Sequence, residues 1–248
     1  MPDRAGKLRF VAVLGPTASG KSALGLALAE RTGGEIVACD SQQVYVGMDI
    51  GTAKPTADER RRVPHHALDL CRPDEPFHAA RWAAVARAAI ADIAGRGRLP
   101  IVVGGTGLYY RALEIYEQTG VPITTLRRRA APPADLAPAV LLFDPPLATL
   151  HGRIAARVDQ MIAAGFLDEV RALRAAGYGP ALKPLQALGY KQLGAVLDGA
   201  ASLADAVAET VQATFAYARR QRTWFRKQEA ARRFEDPPRV EDAIAVAR

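Results

Sequence analysis

Leu8–Leu14 is a short, mostly apolar run with β-branched residues, and the helix-forming segment Lys21–Arg31 follows it across a glycine-bearing turn. That order predicts a strand, a loop and a helix. Four further runs read as short strands: EIVAC at 35–39, HHALDL at 65–70, LPIVVGG at 99–105 and AVLLFD at 139–144. Several are apolar enough for burial on both faces, as in a parallel sheet. Helical patterns lie between them, notably over 78–96, and strands alternating with helices predict a three-layer α/β fold. Residues 146–176 and 190–231 read as helices packed beside the sheet, interrupted by AAGYGPALKP, whose Gly and Pro residues punctuate the chain. RRRAAPPADLAP, 127–138, is the one linker-like stretch, with the charge run of a solvated loop.

Composition narrows the class. At 248 residues, 49% hydrophobic and 24% charged, the chain is expected to form one large globular domain. No apolar run approaches the roughly 18 residues needed to span a bilayer, and MPDRAGKLRF lacks the apolar core of a secretory signal, so a cytoplasmic location without membrane attachment is expected. Cys39 and Cys71 are too few for a disulfide framework and lack metal-ligand spacing; both read as small buried residues. A net charge of +7 points to an anionic partner, nucleic acid among the candidates.

The chemistry begins at Gly15-Pro16-Thr17-Ala18-Ser19-Gly20-Lys21-Ser22, which matches G-x-x-x-x-G-K-[ST] after a strand and at the start of a helix. Gly15 and Gly20 let backbone N–H groups turn toward a phosphate, Lys21 supplies a point charge, and the Ser22 hydroxyl can ligate Mg2+. The expected fold is therefore a P-loop NTPase-like three-layer α/β fold with a mostly parallel central sheet and additional C-terminal helices. Open α/β sheets bind ligands beyond the carboxyl ends of their strands. Besides the loop, that edge carries Asp40 after the second strand and Thr106 after the strand at 99–105. Asp40 can serve as a Mg2+- or water-positioning carboxylate, a general base, or a helix cap; Thr106 caps a helix and can also touch substrate. His65 and His66 read as structural.

GPTASGKS, DSQQVYVGMDIGTAKP, VPHHALDL, FHAARW, PIVVGGTGLYY, RIAARVDQMIAAGFLDEVRAL, LGYKQL and RRQRTWFRKQ occur in the order found in tRNA dimethylallyltransferases, and the chain resembles that family nearly end to end. The resemblance implies transfer of a dimethylallyl group from dimethylallyl diphosphate to N6 of adenosine 37 in the anticodon stem-loop of tRNA, releasing diphosphate. Gly15, Thr17, Ala18, Ser19, Gly20, Lys21 and Ser22 then hold a diphosphate leaving group with Mg2+, rather than ATP. Arg153 and Arg157, four apart on one helical face, are similar to arginines that face that diphosphate. Asp40 becomes the base that accepts the N6 proton, and Thr106 a hydrogen-bonding group at the reacting nitrogen. Ser41, Gln42 and Gln43, with Asp40 and Thr106, meet the flipped-out adenosine. Gly189, Tyr190 and Lys191 resemble a tRNA-contacting turn. On the basic helix 217–228, Arg219, Arg220 and Arg222 can meet RNA phosphate while Trp224 and Phe225 face the core.

One departure stands out. Family members carry a helical insertion after the GGTGLYxxAL segment, whereas here LYYRAL runs directly into EIYEQTGVPITTL, so two helices are expected to fuse near 113–115. Residues 1–248 then form a single prenyltransferase core, expected as a monomer, with weakened activity. Three alternatives remain: a P-loop kinase of a small molecule, a prenyltransferase of free adenine nucleotides, and a catalytically weak tRNA-binding scaffold. No zinc-ligand pattern is present near the C-terminus, and zinc is not expected.

Overall fold

In the computed structural model, which describes residues 8–119, 136–228 and 231–247, six strands form one sheet. They are β1 (Leu8–Leu14), β2 (Glu35–Cys39), β3 (His65–His66), β4 (Pro100–Gly104), β5 (Leu136–Phe143) and β6 (Arg232–Phe234), in the spatial order β3-β2-β4-β1-β5-β6. All neighbouring pairs are parallel, with Val13 opposite Val103 on one side and Leu141 on the other. The helices are α1 (Lys21–Thr32), α2 (Ala57–Arg62), α3 (Ala79–Gly95), α4 (Gly107–Thr119), α5 (Leu147–Ala163), α6 (Phe166–Ala175), α7 (Tyr190–Leu197), α8 (Leu203–Phe225) and α9 (Val240–Ala247).

The period of two along β1 sorts its side chains between two cores. Phe10, Ala12 and Leu14 join Trp82, Ile90, Tyr110 and Leu113 of α3 and α4 on one face. Val11 and Val13 join Leu24 and Leu28 of α1 and Ala243 of α9 on the other. That is the expected three-layer arrangement. The helices α5 to α8 extend the first core through Phe166, Val170, Tyr190, Leu193 and Phe225. Among the described residues no helix is long and apolar enough to cross a membrane.

Four boundaries differ from the sequence reading, each for a physical reason. The strand expected over 65–70 stops pairing after His66, because Ala67 and Asp69 take left-handed φ values of 63° and 53° and Asp69 turns its carboxylate to the buried Lys54 ammonium, 2.5 Å away. The helical stretch 146–176 splits at Gly165, φ 96°, into α5 and α6. The stretch 190–231 splits at Gly199, φ 70°, and restarts where the Ser202 hydroxyl accepts the Asp205 N–H. The helix there ends at Phe225, and beyond the stretch comes a short sixth strand, β6, whose pattern Arg-Arg-Phe carries little strand signal; α9 follows and packs against α1. Helix α4 is continuous through Leu113 and Glu114. Residues 120–126, and 127–135 of the linker-like stretch, lie outside the described residues.

Candidate active site

Three loops leave the carboxyl ends of β1, β2 and β4 side by side, and they wall a cavity of about 370 Å3. Thr17, Lys21 and Ser22 come from the first loop, Asp40 to Gln43 from the second, and Gly104 marks the third. The lid side is helical: Arg157, Val158 and Met161 come from α5, and Thr210, Thr214, Tyr217 and Gln221 from α8.

The phosphate loop owes its shape to left-handed backbone. Gly20, φ 92°, ends it at the start of α1, and Ala18 holds φ 59° despite its Cβ, a conformation that costs energy and clusters at binding sites. Ser19 is fully buried behind the loop. Lys21 donates to the Pro16 carbonyl at 3.1 Å, which curls its ammonium over the loop. Burial, and then the positive charge of Arg157, push Lys21 down to about 8, with the Asp40 carboxylate acting in the opposite direction. Arg157 is also lowered by burial and supported by Asp40. Two cations thus share a desolvated wall near one carboxylate, an arrangement that favours an anionic ligand.

Asp40 accepts the Gln42 N–H at 2.8 Å through Oδ1, and the Gln43 N–H approaches the same oxygen at 3.4 Å. The turn it forms is the capping role the sequence allowed, and the carboxylate still lines the cavity. Thr106 sits across from it: its Oγ1 accepts the Ser41 N–H at 3.0 Å, and the Tyr217 phenol lines the same cavity. Burial raises that phenol to about 12, so it stays protonated. Gln43 donates from Nε2 to the Thr52 and Ala53 carbonyls at 3.1 and 3.0 Å, tying together two loops of the wall.

The other expected site residues divide. Arg157 lines the cavity, but Arg153, one turn earlier on α5, is not part of its wall and pairs with Asp236 at 3.4 Å. The Thr17 backbone N–H is taken by Gln221 Oε1 at 2.8 Å, so that amide is engaged within the protein. Gly189 donates its N–H to Gln192 Oε1, and Tyr190, 1% exposed, lines the cavity and gives its hydroxyl to Glu169. Lys191 beside them is exposed. Arg222 is turned inward onto Asp144, which also receives Arg226 at 3.3 Å, whereas Arg219 and Arg220 are exposed. Phe225 is core and Trp224 packs against it, as expected. His65 bonds the Val63 carbonyl and His66 the Glu35 carboxylate, both structural contacts. Cys39 and Cys71 are buried free thiols.

Two residues were not singled out from sequence. Glu169 accepts the Asp49, Ile50 and Gly51 N–H groups at 2.8, 2.6 and 3.1 Å, holding the loop that carries Gly51 to Lys54 into the wall. Gln221 bridges the phosphate loop to the β4–α4 turn. A signal for the second was present, because Thr210, Thr214, Tyr217 and Gln221 make a polar stripe at helical spacing on the inward face of α8.

Comparison with known proteins agrees with this geometry. A family described as IPP transferase matches residues 43–113 and 110–228, and one described as isopentenyl transferase matches 8–69. The chain is 45% identical to a tRNA dimethylallyltransferase of Anaeromyxobacter dehalogenans over 89% of its own length and 93% of that protein. It is 40% identical to one of a Roseiflexus species, covering 88% and 90%. Among solved structures, the tRNA isopentenylpyrophosphate transferase of Bacillus halodurans superposes with a TM-score of 0.82 at 32% identity, covering 97% of this chain and 95% of that one. The enzyme of Staphylococcus epidermidis gives 0.83 at 29% identity, covering 96% and 97%.

Proposed function

Because the chain belongs to the tRNA dimethylallyltransferase family, we propose that it transfers a dimethylallyl group from dimethylallyl diphosphate to N6 of adenosine 37 in the anticodon loop of a tRNA, releasing diphosphate. The observation that carries this reading is the single cavity lined at once by Lys21, Ser22 and Arg157, by Asp40, and by apolar side chains such as Val158, Met161 and Phe166. A diphosphate needs the first set, a prenyl chain the last, and an amine nucleophile a base between them.

In this reading the N6 lone pair attacks C1 of the donor, the C1–O bond breaks, and its electron pair leaves with the diphosphate. Asp40 takes the N6 proton. Lys21 and Arg157 meet the negative charge that develops on the departing oxygens, which is where preorganised cations lower a barrier most. Thr106, fixed by the Ser41 N–H, presents its hydroxyl beside Asp40. The adenine has to leave its stack to reach such a cavity, at a cost of a few kcal/mol.

Mg2+ fits the loop in one way. The chain's donor is the exposed Ser22 hydroxyl, a hard oxygen ligand, and among the described residues no three acidic, His or Cys side chains gather into a metal site. Ser22 would hold the ion, which would supply charge neutralisation for the diphosphate. On this reading the protein works as a monomer, and a tRNA substrate supports a cytoplasmic location.

We read α4 as the place where the family's insertion would fall. The two segments that match the IPP transferase family overlap at 110–113, inside a helix that runs on through Glu114. Residues 1–248 form the prenyltransferase core, and the insertion's contribution to holding tRNA is lost.

The test is incubation with dimethylallyl diphosphate, Mg2+ and unmodified tRNA, followed by nucleoside analysis. N6-dimethylallyladenosine is expected from tRNA and not from AMP. Absence of the modified nucleoside with rapid ATP-dependent phosphorylation of a small molecule overturns the reading in favour of a kinase.

A further inference from the structure

We propose that Gln221 is a positioning residue for the transfer reaction, its amide fastening the phosphate loop to the turn that carries Thr106. The inference rests on the function proposed above. Gln221 is 8% exposed, and its Oε1 accepts the Thr17 N–H at 2.8 Å while its Nε2 donates to the Gly105 carbonyl at 2.8 Å. The amide orientation is unambiguous, because one backbone partner can only donate and the other can only accept. Residue 105 is glycine for the same reason: a Cβ there would lie 2.5 Å from Nε2.

One turn earlier on α8, Tyr217 lines the same cavity, and the Thr106 hydroxyl accepts the Ser41 N–H beside Asp40. The donor loop and the acceptor side of the cavity therefore meet through the Gln221 amide. Pairing of Leu14 with Gly104 sets the roots of loop and turn side by side, and Gln221, 204 residues from Thr17 and 116 from Gly105, ties the two segments together beyond the end of that ladder. For a displacement in which C1 must sit in line between N6 and the leaving oxygen, an error of about 1 Å costs on the order of 100-fold in rate.

Two variants separate positioning from mere cohesion. Gln221→Leu removes both bonds. Gln221→Glu keeps an acceptor for Thr17, but when ionised it turns a second oxygen onto the Gly105 carbonyl; when protonated it presents the same acceptor and donor as glutamine. Lys21, Asp40, Arg157 and Tyr217 share the cavity and are common to wild type and variants, so the ratio of rates isolates the introduced carboxyl.

The experiment is single-turnover transfer from labelled dimethylallyl diphosphate to unmodified tRNA between pH 5.5 and 7.5, with inorganic diphosphate affinity by calorimetry and thermal unfolding measured alongside. At pH 7.5 both variants are expected to transfer about 10- to 100-fold more slowly, with diphosphate affinity within about threefold of wild type. Toward acid, the deficit of Gln221→Glu shrinks and that of Gln221→Leu stays constant. Should Gln221→Leu not fold, the pH series of Gln221→Glu against wild type decides alone. Variants that transfer like wild type, or rate losses that track diphosphate affinity or melting temperature without recovery in acid, overturn the proposal while an active wild type leaves the function standing. A wild type that makes no prenylated nucleoside overturns both.

Discussion

Lys21 reports most directly on what occupies the phosphate loop. Its ordinary value is 10.5, and burial together with Arg157 brings it to about 8. A bound diphosphate carries at least two negative charges and favours the ammonium, so the value in the complex rises well above that of the free protein. Wherever the free protein is deprotonated and the complex is not, binding takes up a proton. At pH 8 about half of the free molecules carry neutral Lys21, so about half a proton is taken up; at pH 9 the figure is about nine-tenths. Affinity then weakens about fivefold between pH 8 and pH 9, and below about pH 7 Lys21 contributes no pH dependence. Calorimetry with inorganic diphosphate, in pairs of buffers of different ionisation enthalpy, measures the uptake. Lys21→Arg is the reference, because arginine stays charged throughout and the ligand's own protonation is common to both. Equal proton uptake by wild type and Lys21→Arg at pH 8 and 9 refutes the reasoning.

Asp40→Asn keeps the acceptor for the Gln42 N–H and so the turn, but it cannot take the N6 proton; single-turnover transfer should fall about 10²–10⁴-fold with the melting temperature unchanged, and an unaltered rate refutes the role. Glu169→Ala orphans three backbone N–H groups and the Tyr190 hydroxyl, and should lower stability by about 2–4 kcal/mol in denaturant unfolding; a loss within experimental error contradicts the account of that loop. tRNA affinity should fall with salt, and Arg219→Gln should reduce the slope of log K against log salt by about one phosphate contact, 0.7–0.9. Arg222→Gln should instead reduce stability and leave the slope alone, since its guanidinium is spent on Asp144; a slope change for Arg222 and none for Arg219 reverses the assignment. Grafting a family-type insertion between Leu113 and Glu114 should raise transfer per donor consumed by excluding water from the cavity; an unchanged ratio of dimethylallyl alcohol to modified nucleoside argues against it.

How far these elements are legible in sequence depends on how local their causes are. β1, the phosphate loop and α1 carry their own signals, and so do β2 and β4, whose side chains are buried on both faces. The run 65–70 has strand composition, yet it is overruled after two residues by Lys54, a tertiary partner 15 residues away. Among site residues, Lys21, Asp40 and Thr106 were legible because parallel strands must end on the same edge, and whatever follows them is gathered there. Arg153 and Arg157 show the limit. Both flank the same buried stripe, Leu150, Ile154 and Val158, and they differ only by about 6 Å along the helix axis, which no periodicity resolves. The segment after β6 takes up Arg153 through Asp236, and β6 itself was not foreseen.

The polarity of α8 was the more informative pattern. An amphipathic helix lying on a sheet turns apolar residues inward, and burying a hydroxyl or amide without a partner costs about 1–3 kcal/mol. α8 nevertheless sends Thr210, Thr214, Tyr217 and Gln221 inward, four polar side chains at spacings of four, three and four. Two of them answer the cost with hydrogen bonds: Thr210 back-bonds to the Ala206 carbonyl, and Gln221 spans Thr17 and Gly105. The flanking Val207, Val211 and Phe215 supply the apolar contact with α5 that a core helix requires. An inward polar stripe beside an apolar one therefore marks a helix that packs and walls a site at once. Arginine spacing on the same helix drew attention to its outer face, where Arg219 and Arg220 are exposed, while the residue that joins the two halves of the cavity lay one position further on.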